Sequence, residues 1–381
     1  MPGRDPGEPH RTATSLELLF DLCFVIAVAR ASEGLSEAVA LGHAFTGFLS
    51  FALVFFTVWW AWMNFTWFAS AYDPDDVPYR LTVLVQITGS LVLAAGVPQA
   101  FEEGDLRVIT LGYIVLRTAL AALWLRAARS DPGRRGAALR FAGGVTCCQL
   151  GWVVLLFVPE SAWLSLVLML IVAELAVPVW AESAGSSPWH AHHIAERYGL
   201  FVLIVLGESV AAAALAVRGA FSRPHHPGAL SLLAAGGLLL VFAMWWLYFA
   251  RPAHVLLGTT HRVRHRRFTW AYGHYLVLAS AAAVGAGLAA YAQLLSTEAE
   301  TPSAAAGAAI TLPAGIFLIT VWAIHVRPHR RGGFERIVFP VVSVAVLAAA
   351  LSPAPALVAG LLAAVLAGAV TVADRTKPVR R

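Results

Sequence analysis

The chain has 381 residues, 59% of them hydrophobic and only 13% charged, with a mean hydropathy of +0.71 and 13 Trp. Soluble domains carry roughly a quarter charged residues, so this composition excludes a water-soluble enzyme or regulatory domain and points to a polytopic membrane protein. The formal charge of +5 does not signal a nucleic-acid partner, because the basic residues sit in short loops between apolar segments, where they carry topological information.

The N-terminal MPGRDPGEPHRTATS is polar, and the apolar segment after it lacks a small-residue cleavage site, so that segment is expected to stay in the membrane. Cys23, Cys147 and Cys148 all fall in apolar runs and form neither a disulfide framework nor a CxxC metal site. Crossing about 30 Å of hydrocarbon takes roughly 20 residues. Runs of that kind lie at 16–36, 43–68, 80–98, 106–126, 138–158, 162–182, 196–217, 228–250, 269–293, 304–326, 334–352 and 354–373. The expected fold is an all-α integral membrane protein of about twelve transmembrane helices. The last two runs are separated only by SPAP, where a re-entrant hairpin is the alternative.

Positive charge collects on the cytoplasmic side of membrane spans. With an even number of spans, Arg30, Arg107, Arg218 and Arg223 fall on one side and Arg117 within a span, while the remaining Lys and Arg fall on the other side. This predicts both termini in the cytoplasm, with RAARSDPGRRGAALR, HRVRHRR and RPHRRGGFER as cytoplasmic loops and the acidic FEEGDL and STEAETP outside.

An internal repeat is expected. ELLFDLCFVIAVA at 17 resembles ERYGLFVLIVLGE at 196, placing Glu17 opposite Glu196 and Asp21 opposite Leu200. FFTVWWAWMNF at 55 resembles VFAMWWLYFAR at 241, placing Trp59 and Trp60 opposite Trp245 and Trp246. Order and offset match, which predicts two parallel six-helix halves, 16–182 and 183–373, between a cytoplasmic tail at 1–15 and a basic cytoplasmic tail at 374–381.

Charged groups inside a bilayer are expensive and need partners, water or a function. In the first span Glu17 and Asp21 share a helix face one turn apart, where two ionised carboxylates would repel unless they share a proton or meet a nearby Arg. Glu17 has a plainer reading as a first-turn acid at the helix start, whereas Asp21 lies a turn deeper between Phe20, Leu22 and Phe24. The next span carries WWAWMNFTW at 59, read as an aromatic belt in which Trp60 and Asn64 are candidates to line a cavity, as are Trp246 and Tyr248 in WWLYF at 245. Arg117 and Glu174 are expected to pair or to snorkel.

The seventh span opens HAHHIAERYGLFVLIVLGESV. Arg197 and Glu208 share nearly one azimuth about 16 Å apart along a helix, which predicts a deep Glu208 between Gly207 and Ser209. His193 and Glu196 have a spacing that can share a metal, although a short His tract is more often simply polar or pH-responsive. No GxSxG, HExxH or Walker loop is present, so no cofactor or catalytic set is implied.

In this order and over almost the whole chain, ELLFDLCFVIAVAR, ERYGLFVLIVLGESV and WWLYF resemble the bacterial low temperature requirement A family. The resemblance implies a multi-pass protein of the cytoplasmic (inner) membrane; its name describes a growth requirement in the cold, not a mechanism. It carries the family's recurring positions onto Glu17, Phe20, Asp21, Glu196, Gly199, Leu200, Phe201, Gly207, Glu208, Trp245, Trp246 and Tyr248. One departure is visible: an acidic residue commonly follows WWLYF, where this chain has Ala250, which leaves Arg251 open to another partner.

The leading expectation is therefore a proton- or cation-coupled transporter of an unidentified small molecule or ion, with Asp21, Glu208, Glu17, Glu196 and Arg197 as site candidates. Its partners are the lipid bilayer and that substrate. The alternatives are an intramembrane enzyme on a lipid or polyprenyl-linked substrate, with Asp21 and Glu208 as acid and base, and a non-catalytic stress-adaptation protein whose buried charges fix helix register.

Overall fold

The structure, a computed structural model, describes every residue except 6, 9–10, 223–226, 261–263, 297–302, 330–332 and 376–381. Arg223, most of STEAETP, parts of HRVRHRR and RPHRRGGFER, and the end of the basic tail lie outside the described residues. Among those described, the fold is entirely helical. The helices are α1 Ser15–Ala40, α2 Ala44–Ala71, α3 Val77–Ala95, α4 Val97–Glu102, α5 Arg107–Ser130, α6 Arg135–Leu155 and α7 Glu160–Ala181, followed by α8 Ala191–Ser222, α9 Pro227–Phe249, α10 Ala253–Thr260, α11 Arg264–Ser296, α12 Ala304–Val321, α13 Gly333–Ala348 and α14 Pro355–Arg375.

Ten helical stretches among the described residues are long and apolar enough to cross a bilayer: Ala44–Ala71, Val77–Glu102, Arg107–Ser130, Pro132–Leu155, Ser161–Ala184, Pro227–Gly258, Arg266–Ser296, Ala304–Val326, Gly333–Leu351 and Pro355–Ala373. Twelve were expected; the two expected spans not among these ten fall on α1 and α8. Both are long, at 26 and 32 residues. On α1 the apolar run is interrupted by Glu17, Asp21, Arg30, Glu33 and Glu37, whereas α8 carries only Glu208 between Tyr198 and Val217. Elsewhere the outer faces suit lipid; on α7, Leu164, Leu168 and Val172 are exposed at four-residue spacing.

The chain divides into two compact units. The first comprises residues 1–30 and 54–197. Within it α3 packs on α5, α5 on α6, and α6 on α7. The α3–α5 crossing is close because Gly112 presents no side chain: a Cβ there would stand 2.4 Å from the backbone N of Leu93. Aromatic rings fill the layer beneath, with Trp124 stacked on Phe141 at 4.2 Å and edge-on to Phe68 at 4.9 Å.

The second unit comprises residues 31–53 and 198–381. Here α9 packs on α14, α11 on α12, α12 on α13, and α13 on α14. A small-residue contact again sets the tightest crossing, since a Cβ on Gly236 of α9 would lie 2.3 Å from the backbone N of Leu357 on α14.

At the start of α3, Asp76 accepts from the Tyr79 backbone N–H at 3.0 Å and Pro78 occupies the first turn. The same carboxylate receives both terminal nitrogens of Arg126 from the end of α5, one of them at 2.8 Å. The Arg126 hydrogen bonds hold its pKa at about 2, below the ordinary 3.8. The unfolded chain then binds the proton more readily than the folded one, so this contribution to stability is present above about pH 4 and is lost as pH falls toward 2. Melting curves in detergent across that window are expected to show an acid-side loss in the wild type that is reduced in Asp76→Asn.

Candidate functional site

Three helices of the first unit each place two polar side chains one turn apart on a common face. On α1 these are Glu17 and Asp21, on α2 Trp62 and Thr66, and at the start of α8 His193 and Arg197. The helix start fixes the first of them: Thr14 Oγ1 accepts from the Glu17 N–H at 3.3 Å, and the Thr14 N–H donates to Glu17 Oε2 at 2.8 Å. This reciprocal capping box satisfies two otherwise unpaired donors. The plainer reading of Glu17 as a first-turn acid therefore holds, yet the same carboxylate also faces inward at 1% exposure.

The six side chains meet. Arg197 grips Asp21 through two bonds, Nε to Oδ2 at 3.0 Å and Nη2 to Oδ1 at 2.6 Å. Its Nη1 lies 2.9 Å from Glu17 Oε1, and Nη2 reaches Thr66 Oγ1 at 3.4 Å. Trp62 donates its indole N–H to Asp21 Oδ1 at 2.7 Å, and His193 Nε2 is 3.1 Å from Glu17 Oε1. Asp21, His193 and Arg197 are fully buried. With His193 neutral and both carboxylates ionised, two carboxylates face one guanidinium, and the cluster would carry one net negative charge in a site closed to water. Several of its atoms still lack an aligned hydrogen bond among the described residues: Glu17 Oε1, His193 Nδ1, Arg197 Nη1 and the hydroxyl of Tyr79, which is buried nearby on α3.

The N-terminal segment covers the ends of these helices. Arg11 donates to the last carbonyls of α2, reaching Ala69 O at 2.8 Å and also Ser70 O, which is how a basic side chain finishes a helix C-terminus. Asp73 lies 3.8 Å from Arg11 and 3.9 Å from Arg4, and burial raises its pKa. His190 Nε2 contacts Glu8 O at 2.7 Å, and the Ala13 N–H donates to Glu196 Oε2 at 3.2 Å. Arg11 and Asp73 balance each other and leave the cluster's net charge unchanged.

The other sequence candidates take separate positions. Glu196 binds the tail backbone, while His193 turns to Glu17; among the described residues no group of three or more His, Cys, Asp or Glu side chains is arranged to hold a metal ion. Glu208 belongs to the second unit and is only half-buried, with Glu33 as a charged neighbour, where the helical spacing predicted a deep group. Asn64 Nδ2 bonds Trp60 O on its own helix at 2.8 Å. Trp60 is buried and donates to Glu174 Oε2 at 2.8 Å, whereas Trp246 is exposed and donates to Thr371 Oγ1 at 2.9 Å. Arg117 and Glu174 do pair, at 2.6 Å, with Tyr113 adding a third donor to the carboxylate at 3.1 Å. Arg251 has Glu335 as its partner at 2.7 Å.

Sequence reasoning missed a histidine pair in the second unit. Tyr248 OH lies 3.0 Å from His274 Nε2, which lies 3.3 Å from His325 Nε2. Both histidines are buried, and His325 sits in a single π-helical turn over Trp322–Val326, a local irregularity often found at functional places. The signal was available, since a lone His within an apolar span is itself a functional flag.

An all-α fold with ten bilayer-length apolar stretches and charged groups enclosed among them defines a multi-pass membrane protein. The model of the family described as bacterial low temperature requirement A protein (LtrA) matches residues 12–371, nearly the whole chain, and the protein belongs to that family. It is also similar to an uncharacterized protein, RA0937, of Rhizobium meliloti (strain 1021), at 28% identity over 271 residues, 68% of this chain. The match spans 64% of that relative's length, less than two thirds.

Proposed function

We propose that this protein is a proton- or cation-coupled permease of the cytoplasmic membrane, in which the Glu17–Asp21–Arg197–His193 cluster binds the coupling ion. One observation carries the reading: the cluster is buried and sets two carboxylates against one guanidinium, so with both carboxylates ionised it is one positive charge short of neutrality. Uncompensated charge in a low-dielectric site is costly, so uptake of one proton or one monovalent cation would relieve it. The hydroxyl of Tyr79 and Nδ1 of His193, both buried without an aligned partner among the described residues, supply polar atoms for water or a small solute at the same place.

Reading the matched motifs as a parallel repeat favours the transporter class. Trp60 and Trp246 occupy matching places in the two sequence halves, and each donates its indole N–H to the last helix of its own half, Glu174 on α7 and Thr371 on α14. Acid–base chemistry on a lipid is supported less well, because both oxygens of Asp21 are occupied by Arg197 and Trp62 and none of its surface is exposed.

The test is chemical and untargeted. Metabolite and lipid contents are compared between a strain lacking the gene and strains carrying wild type, Asp21→Asn or Glu17→Gln. A small solute redistributed across the membrane without chemical change, and not restored by Asp21→Asn, is the expected result. Accumulation of an unconverted lipid precursor would instead establish an enzyme.

A further inference from the structure

The second unit holds a cavity of about 880 Å³ among helix ends. It lies beside α10, where α11 and α13 begin, and where the π-helical turn follows α12. Ends of spanning helices lie at headgroup depth in a bilayer. Three of its lining residues are arginines, Arg266, Arg327 and Arg336, each from the cationic loops that the charge distribution predicts to be cytoplasmic.

None of the three forms an ion pair among the described residues. The nearest acid in sequence, Glu335, is buried and engaged with Arg251 at 2.7 Å. The Arg327 guanidinium stands 5.8 Å from the centre of the Trp322 ring, which orders it over an aromatic face. Around the arginines the wall is apolar, with Leu256, Leu257, Trp270 and Ile324. Three uncompensated guanidinium groups beside an apolar wall match a phosphate attached to hydrocarbon, because guanidinium forks bind phosphate oxygens in pairs and the wall accepts acyl chain.

We propose that this cavity binds the phosphate headgroup of an anionic phospholipid. Basic pockets between spanning helices on the cytoplasmic side are suited to such headgroups, whose attraction to each arginine adds to burial of the chains. The site is distinct from the carboxylate cluster of the first unit and does not depend on transport.

The experiment uses the full chain purified in detergent, with native mass spectrometry and thermal shift as readouts. Phosphatidylglycerol and cardiolipin are expected to remain bound and to raise Tm, and phosphatidylcholine to do neither. The triple variant Arg266→Gln, Arg327→Gln, Arg336→Gln is expected to bind on the order of tenfold or more weakly. Its three arginines are exposed, so its Tm without lipid stays at the wild-type value. A control variant, Arg129→Gln with Arg135→Gln, removes exposed arginines elsewhere and is expected to keep lipid binding. If the triple variant does not fold, each single substitution still lowers affinity by roughly fivefold. Equal binding by the triple variant, or an equal loss in the control, overturns the proposal. Displacement of lipid by millimolar inorganic phosphate that stabilises just as well assigns the cavity to a soluble phosphate and overturns the lipid reading.

Discussion

Arg197→Ala is expected to destabilise the first unit by about 3–5 kcal/mol, the usual effect of stranding buried charge by removing its partner. Arg197 makes two bonds to Asp21 and a close contact with Glu17, and both carboxylates are at 1% exposure or less. Truncation leaves both facing only Trp62, Thr14 and His193. Loss of the monodisperse peak in size-exclusion chromatography, or a large fall in Tm, is the readout. Arg197→Lys keeps the charge but replaces a planar fork with a point donor, so it is expected to fall between wild type and Arg197→Ala. The double variant Asp21→Asn with Arg197→Gln removes one charge of each sign and is expected to be more stable than Arg197→Ala alone. An Arg197→Ala protein with wild-type Tm would show that the cluster is more open to water than its geometry indicates.

The shared face of Glu17 and Asp21 was legible from spacing alone, as was the need for a nearby Arg. Which Arg was not legible. Helical periodicity relates Arg197 to residues of its own helix, so it suggested Glu208, whereas the structure joins Arg197 across helices to Asp21. Position along a helix gives depth but not the neighbours at that depth, and for that reason Glu208 is half-buried where a deep group was expected. Trp62 was hidden for another reason. A Trp-rich run reads as an aromatic belt, and nothing in composition separates an indole facing lipid from one donating to Asp21. Tyr79, placed just after the turn DPDDVP, carried no signal beyond its type.

The other buried charges were easier to read because the choices were few. Arg117 and Glu174 were the remaining charges inside apolar runs, so pairing or snorkelling was expected, and the pair is found. Arg251 was read as open to another partner once Ala250 followed WWLYF, and Glu335 fills that role from α13. The residue departure and the ion pair thus belong to one local adjustment at the end of α9. Ten of the twelve expected spans are found among the described residues; the other two fall on α1, whose apolar run is broken by five charged residues, and on α8, which carries only Glu208 between Tyr198 and Val217.

Glu174→Ala is expected to be nearly as damaging as Arg197→Ala, with a different functional signature. The Glu174 carboxylate is fully buried and accepts from Arg117 at 2.6 Å, Trp60 at 2.8 Å and Tyr113 at 3.1 Å. Its removal strands a guanidinium and two neutral donors, which costs about 3–5 kcal/mol for the broken pair before the lost neutral bonds are counted. Arg117 is already poorly satisfied, with Nε and Nη1 making no hydrogen bond among the described residues. Replacing both partners by Met removes charge and orphaned donors together, so Arg117→Met with Glu174→Met is expected to recover most of the Tm lost in either single variant. This pair is neutral as it stands, unlike the cluster around Asp21, and has no charge left for a proton or cation to balance. The double Met variant is therefore expected to restore the metabolite profile of a strain lacking the gene, while Asp21→Asn, even where it folds, is not. A folded double Met variant that fails to restore it would place Glu174, and not only Asp21, on the ion's route.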